Sequence, residues 1–191
     1  MKVIVIRSRK DYDEKLNNQI LYKSFNVYCR VSTLSQIENT SLQTQSELGI
    51  SYCKKYHRGE FDYIIDWREE GKSGDDRNDG IGEVVRRELL SIIINKWEEG
   101  IIRNFWVTDL SRLSRNSDSS MIIKQKLFNS GVDLYVENSK YNFDNKTDKL
   151  MFQILSSFNE FENTMRFEKG LMGKRRNLDE GKWWVEIFRL D

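Results

Sequence analysis

The chain has 191 residues, of which 38% are hydrophobic and 32% are charged, and its formal net charge is +1. This length suits one domain with a sizeable core, and the near-neutral charge gives no global nucleic-acid signature. No apolar run approaches the roughly 20 residues that a membrane helix needs, and the apolar run at the N-terminus is too short for a signal peptide. Two cysteines and one histidine are too few for a disulfide framework or a zinc site, so we expect no metal and a reducing, cytoplasmic location.

The first half of the chain reads as strands and helices in alternation. Residues 1–23 contain no motif that indicates a function, although Val3 to Ile6 could form a strand and Asp11 to Leu21 a helix. Apolar patterning then predicts a core strand over 25–31, a helix over 41–56 capped by Thr40 or Ser41, and a second strand over 61–67. Residues 68–82 hold four glycines among charged residues and are typical of a loop.

The second half repeats this alternation. A helix is predicted over 84–97, a near-continuously apolar strand over 101–110, a helix over 117–129 and a fourth strand over 132–137. Strands that alternate with helices favour parallel pairing through crossover connections. We therefore predict an α/β fold with a mostly parallel central sheet of about four to five strands, flanked by helices.

A long C-terminal helix is predicted from Thr147 to about Arg176. Its apolar residues recur at steps of three and four, which places them in one stripe. This stripe is longer than the sheet domain can cover, so we expect a dimer contact through Ile154, Phe158, Phe161 and Met165. The alternative is a helix packed wholly within its own domain.

Polar side chains follow the predicted strands. Arg30 and Ser32 are two residues apart at the end of the first core strand and therefore share a face. The carboxyl ends of parallel strands meet at one edge of a sheet. We expect several further polar residues to converge there, namely Gln36, Ser41, Gln45, Ser73, Arg77, Arg112 and Arg115.

A serine among arginines, with no histidine positioned by a motif, favours phosphoryl transfer over acyl transfer. A Ser-His-Asp hydrolase needs a base for its hydroxyl proton, whereas phosphoryl transfer depends on positioning and on charge stabilisation at the phosphate oxygens. Arginine donates bidentately and keeps its charge at neutral pH. Neither a P-loop nor an acidic magnesium cluster is evident, so we predict metal-free attack of Ser32 on a phosphodiester.

The motifs Tyr-Cys-Arg-Val-Ser-Thr, Ser-Leu-x-x-Gln, Gly-Lys-Ser-Gly, Ser-Arg-Leu-Ser-Arg-Asn and Phe-Asn-Glu-Phe-Glu occur in this order between about Phe25 and Trp183. In this order they resemble the catalytic domain of serine recombinases, a family of resolvases, invertases, large integrases and transposases. The resemblance implies a site-specific DNA recombinase that needs no cofactor and acts on double-stranded DNA. It also implies a homodimer that forms a tetramer during strand exchange, of prokaryotic or mobile-element origin, with no small-molecule substrate.

The resemblance also implies roles for individual residues. Ser32 would form a 5′-phosphoserine bond to DNA, after which strands are exchanged and rejoined. The residues expected around the scissile phosphate are Arg30, Arg77, Arg112 and Arg115, with Gln36 and Gln45 beside them and Glu70 and Glu162 orienting the arginines. Ser111 occupies the position directly before the first arginine of the Arg-Leu-x-Arg motif, where family members often have aspartate, and Asp109 lies two residues earlier. The sequence therefore leaves open which residue acts as the general acid or base.

The chain is accordingly divided into an extension (1–23), a catalytic α/β domain (24–145), a helix for dimerisation and DNA contact (146–180) and a short tail (181–191). Candidate DNA contacts are Lys174, Arg175, Arg176 and Lys182. The tail shows no helix-turn-helix or zinc ribbon, so we expect no DNA-binding domain after the helix. Two alternatives follow: a non-catalytic oligomerisation partner that regulates a full-length recombinase, and a serine enzyme acting on small phosphate esters.

Overall fold

The computed structural model describes residues 1–31, 41–70, 87–113 and 117–181. Within these ranges the strands are β1 (Lys2–Ile6), β2 (Ser24–Val31), β3 (Tyr63–Glu70), β4 (Asn104–Val107), β5 (Asp133–Val136) and β6 (Ser139–Asn142). The helices are α1 (Arg9–Lys15), α2 (Asn18–Tyr22), α3 (Leu42–Tyr56), α4 (Glu88–Glu98), α5 (Ser117–Ser130) and α6 (Lys146–Asp179), and a 3-10 turn spans Leu110–Arg112.

The strands form one sheet in the order β1–β3–β2–β4–β5–β6. Every pairing is parallel except that of β5 with β6, which is an antiparallel hairpin. This confirms the predicted mostly parallel α/β fold. The sheet has six strands rather than four to five, because β6 joins one edge and residues 2–6, whose role the sequence left open, form the strand at the other edge.

Strand β2 lies near the middle of the sheet and is buried on both faces. Phe25, Val27 and Cys29 pack on the side of α3, in a cluster that includes Trp106 of β4. Tyr28 points to the opposite face and joins the larger cluster beneath α4, α5 and the base of α6. The period-two alternation of a strand therefore divides its side chains between two cores.

Helix α3 lies close against the sheet. Its N-cap is Ser41, one of the two residues predicted from the sequence, and the Ser41 hydroxyl accepts a hydrogen bond from the Thr44 amide at 3.1 Å. Gly49 allows the close approach, since a Cβ atom at this position would lie 2.7 Å from the Trp106 ring. This packing holds the first turn of α3 beside the end of β2.

Several predicted boundaries were wrong. Strand β3 continues through Arg68 to Glu70, which the glycine pattern had assigned to a loop, because these residues complete the ladder with β2. Strand β4 is only four residues long, and the apolar segment after it turns into the 3-10 turn. The helix predicted over 11–21 is two short helices, since Asn17 caps a new one by accepting from the Ile20 amide.

Helix α6 is 34 residues long and begins after Asn145, whose side chain accepts a hydrogen bond from the Thr147 amide. A rise of 1.5 Å per residue gives it a length of about 50 Å. Among its side chains whose burial the structure describes, those buried in the domain lie in the first turns, chiefly Phe152 and Ser156. Neither this helix nor any other in the described part of the chain combines the length and apolar character needed to cross a membrane.

Candidate active site at the carboxyl edge of the sheet

Arg30 lies near the end of β2 and is 8% exposed. Its backbone is fixed by the side-chain amide of Gln45 on α3. The Arg30 amide donates to Gln45 Oε1 at 3.1 Å, and Gln45 Nε2 donates to the Arg30 carbonyl oxygen at 3.0 Å. Gln45 is fully buried and so acts on Arg30 like an additional strand partner, close to the point where the chain leads into Ser32.

Arg112 lies in the 3-10 turn after β4 and is also 8% exposed. Its Nη1 atom lies 3.4 Å from the carbonyl oxygen of Arg30, so the two predicted arginines do meet at this edge of the sheet. Its Nε atom donates to Asp109 Oδ2 at 3.0 Å. The arrangement places a permanent cation next to the end of β2.

Asp109 caps the turn that carries Arg112. Its Oδ1 atom accepts from the Ser111 amide at 3.0 Å and from the Ser111 hydroxyl. Thr108 Oγ1 lies 3.1 Å from Asp109 Oδ2. Asp109 therefore orients Arg112 from three residues upstream. The residue directly before Arg112 is Ser111, at the position where family members often have aspartate.

A buried polar network lies behind the two arginines. The hydroxyl of Tyr28 donates to Glu69 Oε2, and Arg87 Nε donates to the same oxygen at 3.2 Å. Glu69 Oε1 accepts from the Leu89 amide at 2.9 Å and so caps α4, where a carboxylate also complements the helix dipole. Burial raises the pKa of Tyr28 above its ordinary range and keeps the phenol neutral.

A second polar cluster lies on the α3 face of the same strands. Asp66 is fully buried and accepts from Ser46 Oγ and from Arg68 Nε, each at 2.7 Å. Cys29 Sγ lies 3.7 Å from the same carboxylate, and burial raises the pKa of this thiol. The Asp66 cluster ties α3 to β2 and β3 below the site.

The predicted acidic residues lie apart from this centre. Glu70 is exposed at the end of β3, and Glu162 is exposed on α6. Within the described ranges, neither carboxylate bonds to Arg30 or Arg112; the acidic side chain that β3 contributes to the network is Glu69. The roles expected for Glu70 and Glu162 stay predictions.

Several predicted residues lie outside the described residues, namely Ser32, Gln36, Ser73, Arg77, Arg115 and Lys182. Lys174, Arg175 and Arg176 are exposed on α6, and Arg176 pairs with Glu180 at 2.7 Å. The four residues proposed for dimerisation are exposed as well: Ile154 by 44%, Phe158 by 65%, Phe161 by 62% and Met165 by 36%.

Sequence reasoning missed the network behind the arginines. Tyr28 could have been found, because it is two residues before Arg30 and shares its face. Glu69 directly precedes the predicted Glu70. Successive residues of a strand point to opposite faces, so a predicted strand that continued to residue 70 would have distinguished the two carboxylates. Arg87 lies beyond the glycine-rich segment, and no pattern in the sequence connects it with Arg112.

Two solved structures are similar to this chain. The solved N-terminal catalytic domain of TP901-1 integrase has the same fold, with a TM-score of 0.51 and 22% identity over 75% of this chain and 99% of that domain. A resolvase-family site-specific recombinase from Streptococcus pneumoniae is 27% identical, with a TM-score of 0.46 and coverage of 80% of this chain and 98% of that one.

The family model for the resolvase N-terminal domain matches residues 25–183. The chain therefore belongs to the resolvase N-terminal domain family. It is also 26% identical over 156 residues to a putative DNA recombinase of Bacillus subtilis (strain 168). That match covers 81% of this chain but only 28% of the length of the relative. Strand β1 and the two short helices precede the segment that the family model matches.

Proposed function

We propose that this chain is the catalytic domain of a site-specific DNA recombinase of the serine type. The observation that carries the proposal is the contact between the Arg112 guanidinium and the Arg30 carbonyl oxygen, at the end of the strand that leads into Ser32. Family membership makes recombination the first activity to consider. Arginine suits this task, because its charge is permanent and its planar fork matches the oxygens of a phosphate.

In the proposed reaction the Ser32 hydroxyl attacks a DNA phosphorus atom. The bond from Ser32 Oγ to phosphorus forms as the bond from phosphorus to the 3′ oxygen breaks. The serine proton is lost and the leaving 3′ oxygen gains one, so the products are a 5′-phosphoserine and a free 3′ hydroxyl. Attack of a 3′ hydroxyl from the recombining partner on the phosphoserine reverses these steps and rejoins the strands.

The remaining residues take supporting roles in this proposal. Arg30 and Arg112, with Arg77 and Arg115, neutralise charge on the non-bridging oxygens, which is where stabilisation contributes most. Gln36 is proposed to contact the phosphate, and Gln45 to act through the backbone of Arg30, to which it is hydrogen-bonded. Glu70 and Glu162 are proposed to orient arginines once DNA is bound. The reaction requires neither a metal nor a nucleotide.

We also propose that α6 assembles the enzyme. The exposed stripe Ile154, Phe158, Phe161 and Met165 would form the homodimer contact, and two dimers would form a tetramer during strand exchange. Lys174, Arg175, Arg176 and Lys182 would contact the DNA backbone, since basic side chains there release counterions from phosphates. Residues 24–145 would then form the catalytic unit and 146–180 the assembly helix, acting in the cytoplasm.

The test is a covalent-adduct assay. The chain is fused to a sequence-specific DNA-binding domain and incubated with supercoiled DNA that carries paired sites, and the reaction is stopped with denaturant. We expect protein attached to 5′ DNA ends, and no adduct from the Ser32→Ala variant. If a folded, self-associating fusion gave no adduct in any context, the chain would instead be a regulatory oligomerisation partner.

A further inference from the structure

We propose that Asp66 is a positioning residue for Arg30, and that its buried carboxylate aligns α3 with the end of β2. This inference rests on the proposed recombinase function, and it assigns a role to a residue that neither the strand-end pattern nor the motifs predict. Asp66 is fully buried on β3, two residues before Arg68 and on the same face of the strand. It would act through the backbone of Arg30, without contact to DNA.

The Asp66 carboxylate joins the two elements that carry Gln45 and Arg30. Its Oδ2 atom accepts from Ser46 Oγ at 2.7 Å, and Ser46 directly follows Gln45 on α3. Its Oδ1 atom lies 3.7 Å from the thiol sulfur of Cys29, which directly precedes Arg30 on β2. One carboxylate therefore contacts the neighbour of each partner in the Gln45–Arg30 pair.

Arg68 holds the carboxylate and the helix at the same time. Its Nε atom donates to Asp66 Oδ2 at 2.7 Å, and its Nη2 atom donates to Ser46 Oγ at 3.0 Å. Its Nη1 atom donates to Oε1 of the exposed Gln43, in the same turn of α3, at 3.0 Å. The Ser46 hydroxyl thus accepts from Arg68 and donates to Asp66, which fixes the direction of this side chain.

The Gln45–Arg30 pair depends on this alignment, because its two hydrogen bonds connect a helix with a strand. They measure 3.1 and 3.0 Å, so a shift of α3 by about 0.5 Å would stretch them past the ordinary limit of about 3.2 Å. The Arg30 carbonyl oxygen that accepts from Gln45 also lies 3.4 Å from Arg112 Nη1. Displacement of a catalytic group by about 1 Å can lower a rate about a hundredfold.

Apolar packing brings α3 to the sheet but does not set its position along the strands. Gly49 allows α3 to approach Trp106, and such hydrophobic contacts are non-directional. Hydrogen bonds to a carboxylate, in contrast, are short and prefer particular directions. A buried ion pair also adds little net stability over apolar residues of the same volume. The Asp66–Arg68 pair is therefore suited to aligning α3 more than to stabilising the fold.

The first measurement is hydrogen exchange of the Arg30 amide, followed by NMR in the isotope-labelled chain without DNA. Ser46→Ala removes the hydroxyl with little change in volume and leaves the ion pair of Asp66 in place. We expect the Arg30 amide to exchange about three- to tenfold faster, as for the loss of one hydrogen bond. The Asn26 amide is the internal control, because it also donates to a side-chain carbonyl, that of Asn104 at 3.1 Å, near the other end of β2. Its exchange should be unchanged.

The second measurement is single-turnover adduct formation by the fusion protein described above, at increasing DNA concentrations and at a temperature where each variant is fully folded. We expect Ser46→Ala to lower the maximal rate by about tenfold and to leave the half-saturating DNA concentration unchanged. The matched control is Ser24→Ala, at the start of β2. Ser24 is also fully buried, and its hydroxyl donates to the Leu21 carbonyl oxygen at 2.7 Å. Because this bond lies far from Arg30 along the strand, its loss should leave the maximal rate unchanged.

If Ser46→Ala does not fold, both measurements are made on Arg68→Lys, which keeps a charge near Asp66 and loses the planar fork that reaches α3. The same changes are expected.

Equal acceleration of exchange at Arg30 and Asn26 would indicate a change in global stability and would overturn the positioning role, as would a failure of both variants to fold. An unchanged maximal rate, a loss confined to DNA affinity, an equal loss in Ser24→Ala, or a lower rate without faster exchange at Arg30 would also overturn it. All of these outcomes leave the recombinase function intact. Absence of adduct from the unmodified fusion would overturn both proposals.

Discussion

Arg112 Nε donates to Asp109 Oδ2 at 3.0 Å, across the 3-10 turn that follows β4. The same carboxylate accepts from the amide and the hydroxyl of Ser111. The carboxylate that orients the arginine is thus supplied from three residues upstream, and Ser111, directly before the arginine, donates two hydrogen bonds to that carboxylate. Sequence motifs that expect aspartate directly before the arginine would miss this arrangement.

This relationship predicts a graded response to substitution. Asp109→Asn should lower the rate of adduct formation about tenfold or more, because Arg112 loses a charge-assisted partner. Ser111→Ala should have a smaller effect, since Ser111 acts on Arg112 only through Asp109. Both are measured in the single-turnover adduct assay.

The effect on stability should be small, because the Asp109 side chain is 42% exposed and solvent screens the pair. Urea unfolding of Asp109→Asn checks this point. Equal loss of rate in the two variants, or a larger loss in Ser111→Ala, would contradict the assigned order.

Gln45 should matter for both stability and activity. Gln45→Leu leaves the buried amide and carbonyl of Arg30 without this partner, which should lower the free energy of unfolding by about 2 to 4 kcal/mol. The matched control is Gln43→Leu, two residues earlier on the same helix and exposed, which should cost less than about 1 kcal/mol. Urea unfolding of the two variants measures the difference. Equal losses of unfolding free energy in the two variants would show that the hydrogen bonds between Gln45 and Arg30 do not add to the stability of the fold.

The α6 stripe predicts self-association. Phe161→Glu should weaken the dimer, because it places a charge in an apolar contact, and it should leave the fold intact since Phe161 is 62% exposed. Lys174→Glu, exposed on the side of α6 away from the stripe, is the control. Sedimentation equilibrium at several protein concentrations gives the dissociation constant of each. An association constant that Phe161→Glu leaves unchanged would contradict the assignment.

The alternation of strands and helices was predictable because burial on two faces leaves a strong apolar pattern in the sequence. Strands β2, β4 and β5 and helices α3 and α5 were all recognised in this way. Strand β6 was not, because its residues are polar or half-buried at the edge of the sheet. It exists through a hairpin in which Glu137 adopts a positive φ of 53°.

The candidate site was predictable to the extent that strand ends determine it. Arg30 and Arg112 were brought together as the parallel topology requires. The buried network behind them was not predictable, because Glu69, Arg87 and Tyr28 meet only through the tertiary packing of α4 against β2 and β3. A single-residue difference between Glu69 and Glu70 decides which carboxylate is buried, and the strand boundary there was wrong.

The central claim is that Ser32 becomes covalently bonded to DNA. The fusion protein is trapped on its DNA by denaturation, the DNA is digested, and the peptide that carries the remaining nucleotide is identified by mass spectrometry. The account predicts a phosphodiester bond between Ser32 and a 5′ end, and its loss in Ser32→Ala. An adduct on another residue, or one that persists undiminished in Ser32→Ala, would contradict it.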